Sequence, residues 1–221
     1  MELTVTEIEN DARVRLGQAS ATNSRWSSTI FLRWINEAIE KIVIKTHCLI
    51  DTRIGYSIAN RWEYPLPSDA LSIRALWYAD KILIRKDNIW MNEHTDWKTD
   101  ITADIYTKDS VRYWFPHRTL SKVRTIGIYR ASGVSGEKIE LEIVKSPVAM
   151  TASGDSPEIP PEFHKTVIPY ICYLARLDSG KKDEAGIFLS EFKSEIEEAI
   201  KLSGGSDSSD PIQFGLGGEY T

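Results

Sequence analysis

The run Pro157-Glu158-Ile159-Pro160-Pro161-Glu162-Phe163-His164 constrains what this chain can fold into more than any other stretch. A proline pair forbids helix before it and pre-sets φ for a helix start at Pro161, while Glu158 and Glu162 put negative charge where the unpaired amides of the new helix point. Phe163, Val167, Tyr170 and Leu174 then recur at intervals of four and three and share one face, which Ile171 and Ala175 widen. Leu177-Asp178-Ser179-Gly180-Lys181-Lys182 reads as a stop and a short turn. Beyond it, Ala185, Leu189, Phe192, Ile196 and Ala199 form the stripe of a second helix, with Glu191, Lys193, Glu195, Glu197, Glu198 and Lys201 between them. Residues 156–202 are therefore predicted to form a helical hairpin. Pro169 has no amide to give to Lys165, so a kink is predicted in the first helix.

The N-terminal end is helical by the same periodicity. Thr4 and Glu7 have capping-box spacing, and Val5, Ile8, Ala12 and Leu16 hold phase until Gly17. Ser27 or Ser28 can cap a second helix carrying Phe31, Ile35, Ala38 and Ile42, with Trp34 and Ile39 broadening its apolar arc. Helices from both chain ends are expected to form one bundle whose core is Phe31, Ile35, Ile42, Phe163, Val167, Tyr170, Leu174, Leu189, Phe192 and Ile196.

Between them the pattern changes to period two and to β-branched and aromatic residues. Pro67-Ser68-Asp69-Ala70 reads as a turn and 71–78 as a strand, and Ala79-Asp80-Lys81 returns the chain into a short strand Ile82-Leu83-Ile84. A short helix is read around Ile89 to His94. Ile105, Val111, Tyr113, Phe115, then Ile126 with Ile128, then Ile139, Leu141 and Ile143 mark further strands, the last with Glu140 and Glu142 outward. The predicted fold class is thus α+β, a helical bundle from both chain ends with an inserted antiparallel β-rich layer. The divisions are N-terminal helices 1–47, β-rich insertion 48–155, hairpin 156–202 and a tail 203–221. That tail is Gly-, Ser- and Asp-rich and reads as a flexible arm ending in the apolar anchors Ile212, Phe214, Leu216 and Tyr220.

Chemistry is sparse. Gly180-Lys181 and Gly133-Val134-Ser135-Gly136-Glu137-Lys138 lack the phosphate-loop pattern and read as turns. His47, His94, His117 and His164 lie far from one another, and together with Cys48 and Cys172 they show no spaced zinc motif. Asp96, Asp100 and Asp104 lack the calcium-loop spacing and read as a solvated acidic loop. No catalytic, metal or cofactor residues are assigned, and the reading is of a protein that is not an enzyme and carries no cofactor. The net charge of −5 argues against broad phosphate neutralisation, so Trp77, Tyr78, Trp90, Trp97, Tyr113 and Trp114, with Arg112 and Arg118 near them, are read as core or interface aromatics. No basic n-region or apolar span of about 18 residues is present, which predicts neither export by that route nor membrane insertion.

Three motifs in order carry a resemblance: Trp34-Ile35-Asn36-Glu37-Ala38 in the second helix, the turn Tyr64-Pro65-Leu66-Pro67-Ser68-Asp69-Ala70-Leu71, and Glu158-Ile159-Pro160-Pro161-Glu162-Phe163-His164. Over residues 4–202 the chain resembles the head-to-tail adaptor (connector) proteins of tailed bacteriophages. The resemblance implies a non-enzymatic ring of twelve copies in the virion neck, assembled in the host cytoplasm. Its implied partners are the portal protein, a downstream tail or nozzle protein, neighbouring copies, and double-stranded DNA passing through without specific binding. It also implies a C-terminal segment that inserts against portal subunits. The alternatives are another neck or tail ring protein and, from other classes, a nucleic-acid-binding module or a cell-wall hydrolase using Glu140 and Glu142.

Overall fold

The computed structural model describes residues 2–18, 25–94, 111–118, 124–129, 133–202 and 212–213. The chain is mixed α and β, and it divides into two compact units, one of residues 1–49 and 146–210, the other of 50–145 and 211–221.

The first unit holds helices α1 (Val5–Arg15), α2 (Ser28–Thr46), α4 (Val167–Asp178) and α5 (Lys182–Leu202). Thr4 caps α1 with the capping box read from sequence, since its side chain takes the Glu7 amide while Glu7 Oε2 accepts the Thr4 N–H at 2.8 Å. Gly17 ends the turn at φ 74°. At α2, Ser27 stands at the cap position without a side-chain cap bond, and Ser28 Oγ instead donates to Glu9 Oε1 at 2.8 Å. α4 packs on α1, α2 and α5, so the most apolar helix occupies the middle. Phe31, Ile35, Ile42, Phe163, Val167, Tyr170, Phe192 and Ile196 are buried, and Leu174 and Leu189 are half-buried.

Two expectations about the hairpin need correcting. Pro161–Phe163 forms only a 3-10 turn, and α4 starts anew at Val167 after Thr166. Pro169 is therefore the third residue of α4, where an amide has no intrahelical partner, and Ile168 N–H takes the Lys165 carbonyl at 3.1 Å. Proline here opens a helix; it does not kink one. His164 sits at this junction, 1% exposed, accepting the Leu3 N–H at Nδ1 and facing the Ile159 carbonyl through Nε2, both at 2.9 Å. Because Nδ1 accepts, Nε2 carries the proton and donates.

The residue 146–155 segment is held on the helices by polar contacts. Asn36 Nδ2 donates to the Met150 carbonyl at 3.0 Å, and the Met150 N–H returns to Asn36 Oδ1 at 2.9 Å. The Val5 and Thr6 amides, first in α1, donate to Asp155 and Ser153 carbonyls. At the other end of α1, Glu9 and Arg13 form a pair whose side chains are 12% and 5% exposed. Glu9 Oε1 accepts Arg13 Nε at 2.8 Å, and Arg13 also donates to the Trp26 carbonyl and lies 4.3 Å over the Phe31 ring.

The second unit is two packed sheets. β1 (Ile50–Tyr56), β8 (Lys138–Lys145), β3 (Ala70–Tyr78) and β4 (Lys81–Ile82) form an antiparallel sheet in that order, and β9 (Ile212–Gln213) also pairs with β3. β2 (Glu63–Pro65), β7 (Arg124–Tyr129), β6 (Tyr113–Arg118) and β5 (Ile84–Arg85) form the other, antiparallel except for the parallel β5–β6 pair. The strand expected at Ile82-Leu83-Ile84 is split: β4 belongs to one sheet and β5 to the other, with buried Leu83 at the corner. Residues alternating inward from both sheets, among them Ile73, Leu76, Trp114, Ile126, Ile128, Leu141 and Ile143, make the shared core. The opposite face of the second sheet is covered by Met91 of α3 (Asn88–His94) and by Trp62, which stacks on Phe115. Gly127 allows that stacking, because a Cβ there would come 2.6 Å from Phe115 Cε1 and Cε2. The strand marker Ile105 lies outside the described residues.

Two stability outcomes are expected. Gly127→Ala should cost about 1–3 kcal/mol by overpacking, seen as a lower denaturation midpoint; no change would mean that Phe115 is free to move aside. Arg13→Ala should cost about 3–5 kcal/mol, because it strands a buried carboxylate, and a loss below about 1 kcal/mol in chemical denaturation would show the pair to be hydrated.

Candidate assembly surfaces

The carboxylates read as a candidate acid/base pair do something else. Glu140 and Glu142 alternate along β8 on the face of the first sheet away from the shared core, half-buried. Glu140 is ion-paired with Lys138 of its own strand, and Glu142 lies 3.5 Å from Arg74 of β3. Each is thus paired with a basic neighbour on the sheet, Glu140 with Lys138 and Glu142 with Arg74.

The other candidates resolve as structural. Cys172 is buried and its thiol is pushed up to about 12, mainly by burial, so it is an inert core thiol. Cys48, half-buried, is pushed up for the same reason. His47 is the left-handed cap of α2 at φ 52°. Gly180 (φ 75°) closes α4, and Gly136 (φ 89°) donates its N–H to the Ser57 carbonyl on the approach to β8. Among the described residues no cluster of His, Cys, Asp and Glu could hold a metal ion. Among them, too, no helix is long and apolar enough to cross a membrane. Asp96, Asp100, Asp104 and Trp97 lie outside the described residues, as do the side chains of His94, His117 and Arg118.

The aromatic residues are absorbed by packing. Trp114 and Tyr78 are in the shared core, and Trp90 packs on Tyr113 at 5.3 Å with Lys86 Nζ 4.1 Å from its ring centre. Trp77 is half-buried on the outer face of the first sheet. A stacking platform for bases needs successive exposed rings along a basic groove, whereas Trp114 and Tyr78 are buried and Trp90 and Tyr113 pack on each other.

What the protein does present is surface for contact. α5 carries a charged face, of which Glu191 pairs with Arg15 of α1 at 2.6 Å. One turn on, Glu195 is half-buried, its Oε2 unpartnered and its pKa raised by burial and by the Glu191 charge. Beside α2, an open pocket of about 350 Å³ is bounded by Arg33, Glu37, Glu40 and the segment Pro147–Ala149. Within its own unit and among the described residues, the first sheet is packed on one face and has no strand beyond β1. Of the residues read as a partner-binding arm, Ile212 lies in β9, whose backbone pairs with Ile73 and Ser72 of β3, while Phe214, Leu216 and Tyr220 lie outside the described residues. The exposed edge of β1 was not singled out from sequence, although Ile50, Ile54 and Tyr56 alternate there; which edge is free depends on strand order.

Exposed sheet and helix surfaces are what the described residues offer for contact. A family model described as SU10 adaptor protein matches residues 3–213, nearly the whole chain and part of both units. The chain belongs to the SU10 adaptor protein family, and it is a structural adaptor of the bacteriophage virion. No curated protein matches it.

Glu195 yields a pH prediction. Its folded-state pKa is raised, so its contribution is fully present below the ordinary carboxylate pKa and is lost as pH rises through the raised value. Glu195→Gln should therefore raise the melting temperature slightly at neutral pH and leave it unchanged at pH 4. A variant equal to the parent at both pH values would show the carboxylate to be solvated.

Proposed function

We propose that this adaptor forms a closed ring of twelve copies in the neck of the virion, between the portal and the tail, and lines the conduit for DNA. The observation that carries the reading is the family match spanning residues 3–213, which includes segments of both compact units. The arrangement of helices from both chain ends as one bundle, with Phe31, Ile35, Ile42, Phe163, Val167, Tyr170, Leu174, Leu189, Phe192 and Ile196 as its core, is part of the proposal. It is supported by the packing of α4 against α1, α2 and α5.

The function needs no catalysis. A ring subunit must present two different surfaces to its neighbours, since contacts related by rotation are heterologous. A net charge of −5 suits a conduit through which duplex DNA slides, because fixed negative charge keeps phosphates from sticking. Assembly in the host cytoplasm precedes residence in the virion. The portal is the partner on one side and a tail or nozzle protein is the partner on the other.

The C-terminal segment, with Ile212, Phe214, Leu216 and Tyr220, is the proposed portal-binding arm. Deleting residues 204–221 should leave a cooperatively folding protein that no longer co-purifies with the portal protein. Portal binding at parental affinity after the deletion would remove the arm from the mechanism.

A further inference from the structure

We infer that copies of this chain join head to tail through the two edges of the first sheet, with the β1 edge of one copy set against the β4 edge of the next. The inference rests on the ring reading and specifies which surfaces meet.

The β1 edge is built to accept a strand. The Ser57 N–H donates to the Glu137 carbonyl at 2.8 Å, one register step beyond the Tyr56–Lys138 pair. Hydrogen bonding alternates along an antiparallel pair, so Asp51, Arg53 and Gly55 turn their backbone groups to β8, and Thr52, Ile54 and Tyr56 turn theirs outward. The Thr52 N–H is taken up by Asp51 Oδ1. Among the described residues no strand lies on that outer side of β1. Natural edges are protected by proline, bulges, shortness or charge; β1 has seven residues in unbroken register, and its charged residues Asp51 and Arg53 are paired with each other. Its apolar side chains are also exposed, Ile54 to 59% and Tyr56 to 67%.

The far edge matches in character. Ile82 of β4 and Ile84 of β5 are 64% and 58% exposed on either side of buried Leu83. Cross-strand register places Ile54, Glu140, Trp77 and Ile82 in one row across the outer face, so apolar side chains stand at both ends of a single row. At the β1 end Arg53 pairs with both Asp51 and Asp69, so this cluster carries one net negative charge where the Lys81 end of the next copy would lie.

Strand parity fixes the sense of the contact. The sheet path β1-β8-β3-β4 has four strands, each antiparallel to the last. Rotation about an axis along the strands preserves their direction, so the next β1 runs antiparallel to β4 and the alternation continues unbroken from copy to copy. A two-fold pairing of β1 with β1, centred on the strand, would instead set Arg53 opposite its own copy. Head-to-tail contact is the mode a closed ring uses.

The test uses the full chain mixed with its portal protein, with Cys48→Ser to remove the half-buried thiol. The double variant Ile54→Cys/Ile82→Cys, treated with a short bismaleimide, should give a ladder of covalent multimers, while either single variant should give none. A dimer from Ile54→Cys alone would overturn the inference in favour of two-fold pairing. A multi-copy complex by native mass spectrometry with no ladder would also overturn it and leave the ring standing. Absence of any multi-copy complex would remove both. In parallel, Ile54→Asp/Tyr56→Asp changes exposed side chains only, so its melting temperature should stay at the parental value while the multi-copy mass is lost; a parental mass would place the contact elsewhere.

Discussion

The buried pair between Glu9 and Arg13 is the interaction on which the helical unit turns. A carboxylate and a guanidinium with so little exposure are stable only when each is satisfied, and here the satisfaction comes from three places. Arg13 donates to Glu9 and to the Trp26 carbonyl and lies over Phe31, while Ser28 adds a hydroxyl to Glu9. The pair thus ties α1 to the start of α2. Trp26 continues the chain of contacts, since its indole N–H donates to Asp178 at the end of α4 and its ring meets Phe31 and Trp34 edge-on. Burying a charge pair costs desolvation, and here the hydrogen bonds to Trp26 and Ser28 offset part of that cost.

The β unit relies on a different device. Its second sheet is covered on both faces, by the first sheet on one side and by Met91 and the Trp62–Phe115 stack on the other. Within that unit, the described residues pack on one face of the first sheet only. Ile50, Ile54 and Tyr56 of β1 and Ile82 of β4 are exposed, and exposed apolar surface is a common source of association energy. Adaptor function then needs only shape and edge chemistry, consistent with carboxylates that are neutralised in place by Lys138 and Arg74.

Much of the helical architecture was legible because its signals are local. The Thr4–Glu7 capping box and the stripes through Phe31, Ile35 and Ile42 and through Phe192 and Ile196 depend on neighbours within a few residues, so periodicity finds them. Proline was read with the right chemistry and the wrong position. Pro160 and Pro161 do mark a start, but the 3-10 turn delays the α-helix to Val167, which moves Pro169 from a kinking site to a permissive one. The strand at 82–84 failed for a related reason: alternation shows that Leu83 points inward, and cannot show that the residues on either side join different sheets.

The sequence by itself determined the element types, the absence of recognisable catalytic or metal motifs, and the resemblance to phage adaptors carried by motif order, because each is a matter of residue kind and spacing. Tertiary structure alone decided which carboxylates are neutralised, that His164 locks Leu3 to the Ile159 turn, that Asn36 clamps Met150, and that among the described residues β1 ends its sheet. These join residues far apart in the chain through single hydrogen bonds or through strand order, and neither leaves a periodic trace. A buried polar contact is specified by two positions and their geometry, whereas a hydrophobic face is specified by a repeated pattern, and only the pattern can be read along one dimension.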